Sequence, residues 1–130
     1  MRVRWLLDTH AVIFAVSAPR KLGATARRVI ENAGPGELGV TATTIAEIGQ
    51  LLHDDVMKIE GRPSEVFAPF LARCTQVALS LDAAVRAPAL GLPHGDPADR
   101  LIVAAALDLS VPLVTRDGNI TDSGVVRVVW

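Results

Sequence analysis

Asp8, Glu47, Asp96, Asp99 and Asp117 are the residues of this sequence best placed to do chemistry. Each stands next to a predicted element. Asp8 directly follows a first apolar run, and Asp117 follows "LVT" by two residues. Glu47 and Asp99 are expected in the first turns of helices. Asp96 precedes Asp99 by three, so both face one side of a helix start. Each also has a purely structural role open to it. Asp8 can cap the helix it precedes. Thr44-Ile45-Ala46-Glu47 fits a capping box. Asp96-Pro97-Ala98-Asp99 is a strong helix start, with Asp as N-cap and Pro at the first helical position. Asp117-Gly118 is a common turn signal.

As a set the acids mean more. If the strands before Asp8 and Asp117 are parallel neighbours, both side chains emerge at one sheet edge. Helix starts that follow strands lie at that edge too. The carboxylates would then share a cleft with no sequence-adjacent lysine to neutralise them. Two carboxylates about 4 Å apart repel by roughly 4 kcal/mol at an effective dielectric of about 20. Divalent cations relieve that repulsion, and hard oxygen ligands favour Mg²⁺ or Mn²⁺ over zinc. No Cys/His spacing suggests a zinc site. Oxygen clusters of this kind support phosphoryl-transfer hydrolysis.

The elements that must position these acids alternate along the chain. Val3 to Leu7 is predicted as a buried strand, and Thr9 to Val16 as a helix stopping before Pro19. Leu22 to Ala33 is a helix, and Glu37 to Val40 a short strand. Thr43 to His53 and Ser64 to Cys74 are helices. Val77 to Leu81 is a strand and Asp82 to Leu90 a helix. "GLPHGDP" is a loop, and Asp99 to Leu109 an aliphatic helix. Val111 to Thr115 and Val125 to Trp130 close the chain as strands. Alternation of this sort predicts an α/β fold: three layers, α/β/α, around a mainly parallel sheet of about five strands. Ligands of such sheets bind outside the carboxyl ends of the strands.

The chain has 130 residues, enough for a single domain spanning 1–130 with a continuous core. Aromatics make up 4% and Tyr is absent, so that core is aliphatic. The net charge is −1, from 13 basic and 14 acidic residues, so a polyanion can be bound only through local patches or bound cations. The single cysteine, Cys74, excludes an internal disulfide and suits a reducing, cytoplasmic setting. "MRVRWLLDTHAVIFAVSA" has the outline of an export leader, but Asp8 and His10 interrupt its apolar part, so export is not expected. No uncharged apolar run is long enough to cross a membrane.

The strings "LLDTHAVIFAV", "TATTIAEIGQL", "HGDPADRLIVAAAL" and "PLVTRDGNI", in this order and spacing, resemble PIN-domain ribonucleases. More narrowly they resemble the VapC-type toxins of type II toxin–antitoxin pairs. The likeness runs over nearly the whole chain, to the closing "VVRVVW". It implies a doubly wound sheet, Mg²⁺- or Mn²⁺-dependent endoribonuclease activity on RNA, a homodimer, and an antitoxin whose tail occupies the cleft. It implies four metal-ligating, catalytic acids: Asp8, Glu47, Asp99 and Asp117. Asp96 matches an acid frequent in this group, as metal ligand or cap. One departure stands out: where relatives often carry basic residues, this chain reads "LLHDDVMKIEG".

Arg100 and Arg116 adjoin the acids and are the preferred contacts to substrate phosphates. Arg20, Lys21, Arg27 and Arg28 suit solvated helix faces better. Thr115, and less so Thr9, could orient acids, water or substrate. His10 and His94 fall near the expected cleft as hydrogen-bonding groups, with general-base catalysis the lesser option. Trp5 and Trp130 are expected to pack at the core or its rim. Val66, Phe67, Phe70 and Leu71 form an apolar stripe. Two other classes remain open. A haloacid-dehalogenase-type phosphatase would need D-x-D after the first strand, where this chain has Asp8-Thr9-His10. A non-catalytic binding module could keep the fold alone.

Overall fold

The computed structural model describes residues 2–92 and 96–130. His94, one of the two histidines considered above, lies outside them.

The sheet has five strands in the order β3-β2-β1-β4-β5. They are β1 (Trp5–Leu7), β2 (Leu38–Thr41), β3 (Thr75–Val77), β4 (Leu113–Val114) and β5 (Val128–Val129). Every pairing is parallel. Among the described residues seven α-helices connect them: α1 (Thr9–Ser17), α2 (Ala24–Asn32), α3 (Ala42–His53), α4 (Pro63–Leu71), α5 (Leu81–Arg86), α6 (Pro97–Leu109) and α7 (Gly118–Ser123). Among the described residues no helix is long and apolar enough to cross a membrane.

Side chains of successive strand residues point to opposite faces, and this divides the core in two. Leu7 and Val114 pack with Phe14, Ile30, Ile48 and Phe67, from α1 to α4. Their chain neighbours Leu6 and Leu113 pack on the other face with Ile102 and Val103 of α6 and Ile120 of α7. The expected three layers follow. Trp5 and Trp130 sit partly buried at the rim of the first core. Phe67 is buried while Val66, Phe70 and Leu71 are only partly so. Gly39 lets the strands approach. A Cβ there would lie 2.8 Å from a Val3 methyl and 2.9 Å from a Val77 methyl.

Several boundaries differ from the sequence expectation. β3 covers Thr75–Val77 rather than 77–81, because Ser80 caps α5 through the Ala83 amide. Asp82, where that helix was expected to begin, is therefore already inside it. α3 begins at Ala42 with Thr41 as N-cap, whose hydroxyl accepts from the Thr44 amide at 3.2 Å. The anticipated box at Thr44 is thus displaced by one turn, and Glu47 lies in the second turn. β5 shrinks to Val128–Val129, and α7 was not anticipated.

The topology fixes where a ligand can sit. β1 leads into α1 and on to its neighbour β2. β4 leads into α7 and outward to β5 on the opposite side. The two connections part between β1 and β4, leaving a crevice at their carboxyl ends, the switch point of a doubly wound sheet.

Candidate active site

That crevice is lined by Asp8, Thr9, His10, Glu47, Asp96, Asp99, Arg116 and Asp117, around a volume of about 330 Å³. The five acids singled out from the sequence therefore share one cleft. Among the described residues, Arg116 is the one lysine or arginine that lines it.

Each acid is held by local structure. Asp8 ends β1 and caps α1, and it is only 8% exposed. Its Oδ1 accepts from the Thr9 amide at 2.7 Å, and its Oδ2 accepts from the Thr115 hydroxyl at 2.6 Å. Asp117 caps α7, accepting from the Ile120 amide at 2.9 Å. Asp96 caps α6, accepting from the Ala98 amide at 3.1 Å. Asp99 occupies the first turn of α6, where the aligned backbone amides favour a negative charge. Glu47 takes no part in capping. Its Oε1 accepts from the Thr9 hydroxyl at 2.6 Å, and that hydroxyl lies 3.3 Å from the hydroxyl of the buried Thr44.

Two predicted substrate contacts are placed elsewhere. Thr115 is buried, and its hydroxyl is committed to Asp8; it does not line the cleft. Arg100 follows Asp99 by one residue, a rotation of about 100° around a helix. It lines a separate apolar depression with Pro88 and Pro97. Arg116 does face the cleft, and its guanidinium carbon lies 4.7 Å from the centre of the Phe14 ring. Thr9 was the lesser of the two threonines in the sequence; here it bonds Glu47 directly.

The electrostatics follow from this crowding. Burial pushes the Asp99 carboxyl up to about 7, helped by the charges of Asp8, Asp117, Asp96 and Glu47. Burial also raises Glu47, with Asp8 and Asp96 adding to it and the Thr9 hydroxyl opposing. His10 is lowered by burial and by Arg116, against the pull of Asp8. Carboxylate oxygens gathered in one cleft, with Asp99 and Glu47 raised, are a donor set that a hard divalent cation suits. Among the described residues, however, no three His, Cys, Asp or Glu side chains are already drawn together as a metal-holding group.

Comparison with known proteins agrees with this architecture. The PIN domain family model matches residues 5–124. Ribonuclease VapC22 of Mycobacterium tuberculosis is 32% identical over 120 residues, covering 86% of this chain and 85% of that protein. The chain belongs to the PIN-domain family, and to its VapC type. VapBC2 from Rickettsia felis, solved bound to a promoter DNA fragment, superposes with a TM-score of 0.72 at 16% identity, covering 98% of this chain and 99% of that one. A toxin–antitoxin complex from Klebsiella pneumoniae gives 0.70 at 21% identity, covering 96% and 95%.

Proposed function

We propose that this protein is a divalent-metal-dependent endoribonuclease, the toxin of a toxin–antitoxin pair, with Asp8, Glu47, Asp99 and Asp117 as its catalytic acids. The observation that carries the reading is one cleft at the β1–β4 switch point lined by five carboxylates, with Asp99 pushed up to about 7. The name of the mycobacterial relative, a ribonuclease, supports the activity. The titles of the structural neighbours support an antitoxin partner.

Asp8, Glu47, Asp99 and Asp117 would hold Mg²⁺ or Mn²⁺, with Asp96 as a further ligand or as cap alone. When bound, the ion supplies Lewis acidity and offsets negative charge at a phosphodiester. The protein's own residues do the rest. Thr115 and the Thr9 amide hold the Asp8 carboxylate in one orientation. The Thr9 hydroxyl fixes Glu47. Arg116 stands at the cleft wall, where it can meet a phosphate oxygen. His10 can hydrogen-bond water or substrate beside it. The setting that goes with this reading is the cytoplasm, where RNA and a reduced Cys74 coexist.

We further propose a homodimer through α5. Leu81 and Val85 are 79% and 69% exposed, and Leu79 and Leu109 extend the apolar surface. The Ser80 hydroxyl bonds Asp108 at 3.0 Å, tying this face to the end of α6. Asp82 and Arg86 flank the apolar pair, so an antiparallel copy would set opposite charges together.

The test is direct. Protein freed of partner should cut RNA with Mg²⁺ or Mn²⁺, stop with EDTA, and lose activity as Asp8→Asn. Cutting that survives chelation, or survives Asp8→Asn, would remove the mechanism.

A further inference from the structure

Next to the acid cleft runs a second groove of about 430 Å³ with the opposite electrostatic character. Lys21, Lys58 and Arg116 line it, and among the described residues no carboxylate does. His10 and Arg116 belong to both, so the two are continuous. In a chain of net charge −1, this segregation is local and directional.

The groove's construction is specific. Phe14 forms part of its floor, with the Lys21 ammonium 5.6 Å and the Arg116 guanidinium 4.7 Å from the ring centre. The far wall is Val56, Met57 and Lys58, just beyond α3. A tight turn presents them: Asp55 adopts φ +55°, and the amides of Val56 and Met57 both donate to the Leu51 carbonyl. Val56 is 72% exposed and offers an apolar surface beside the cations. In the sequence this stretch, "LLHDDVMKIEG", stood out for its acids; folding sends its lysine into the groove.

We infer that this groove carries the single-stranded RNA on one side of the cut phosphate, with Lys21 and Lys58 on successive phosphates and Val56 and Met57 against a base. The inference rests on the nuclease reading and deepens it. A strand whose scissile phosphate lies among the acids must continue past them. The acids repel its flanking phosphates, while the adjoining groove attracts them. Alternating cations and apolar surface match a chain of phosphates and bases.

The experiment compares wild type with Lys21→Ala/Lys58→Ala and Lys21→Arg/Lys58→Arg. Both lysines are exposed, so thermal stability should not change. With EDTA present, a fluorescent single-stranded RNA octamer should bind the alanine variant roughly tenfold more weakly, with a salt slope shallower by about 0.7 per lysine. With Mg²⁺, KM for the octamer should rise at unchanged kcat, while a dinucleotide is cut as before. The arginine variant should behave as wild type. Equal octamer affinity in wild type and alanine variant overturns the groove assignment, as does equal loss on octamer and dinucleotide. So does a lysine effect seen only on binding of a polypeptide partner. If wild type binds the octamer through the lysines but never cuts it, the groove stands and the nuclease reading falls.

Discussion

The Thr115 hydroxyl donates to Asp8 Oδ2 at 2.6 Å and accepts from the Asp117 amide at 3.1 Å. One buried oxygen thus joins the acid that ends β1 to the loop carrying the acid after β4. Removing it while keeping the shape, as Thr115→Val, leaves the Asp8 oxygen and the Asp117 amide unpaired. Stability should fall by about 1–3 kcal/mol, and RNA cleavage should fall at least tenfold. Thr115→Ser should restore most of both. Denaturant melts and initial rates on one RNA check this. A valine variant with full activity would show that Asp8 needs no such support.

Asp99 makes stability depend on pH. In metal-free protein its carboxyl stays protonated up to about 7, whereas the unfolded chain releases that proton near pH 4. Between those values the folded state holds the extra proton, so stability declines as pH rises through the window and the full penalty stands above it. Glu47, also raised, acts in the same sense. Melting temperatures in EDTA should therefore drop from pH 5 to pH 8, and Asp99→Asn should flatten the decline. Mg²⁺ or Mn²⁺ should raise the melting temperature more at pH 8 than at pH 5. A slope unchanged in Asp99→Asn would contradict the crowding argument.

The α5 face makes a prediction about assembly. Val85→Glu places a charge among the exposed apolar residues of α5, and Val85 itself packs in none of the buried clusters. The variant should fold with an unchanged melting profile at low concentration yet sediment as a monomer, while wild type sediments as a dimer. Wild type sedimenting as a monomer at tens of micromolar would end the proposal.

Cys74 gives a simple probe of burial. Its thiol is raised to about 11, chiefly by burial, with Arg73 opposing. At pH 8 iodoacetamide should modify the folded protein on the order of 100-fold more slowly than the urea-unfolded chain. Comparable rates would mean that the α4–β3 connection opens readily.

Much of this architecture is legible in the residues themselves. The alternation of apolar runs and helical spacing carries the parallel sheet, and the acids at strand ends point to the cleft. What stays hidden is local hydrogen bonding. Thr41 and Thr44 can both cap, and the sequence does not say that Thr41 is the one that does. Nothing in "TRDGNI" distinguishes a turn from the short α7 that Asp117 caps. Arg100 and Arg116 look equivalent beside their acids. Helix rotation turns one away from the cleft, and the loop after β4 turns the other in. The His10–Lys58 groove has no linear signature, since it joins α1 to a turn that follows α3.

The central strand β1 is flanked by β2 and by β4, whose residues lie more than 100 positions further along the chain. On the ribosome, the middle of the sheet stays open on one side until that late segment has left the exit tunnel. Contacts so distant in sequence form slowly. A nascent chain truncated before Leu113 has neither the second wall of the crevice nor the hydroxyl that aims Asp8. The crevice between β1 and β4 therefore closes only after most of the chain has been made.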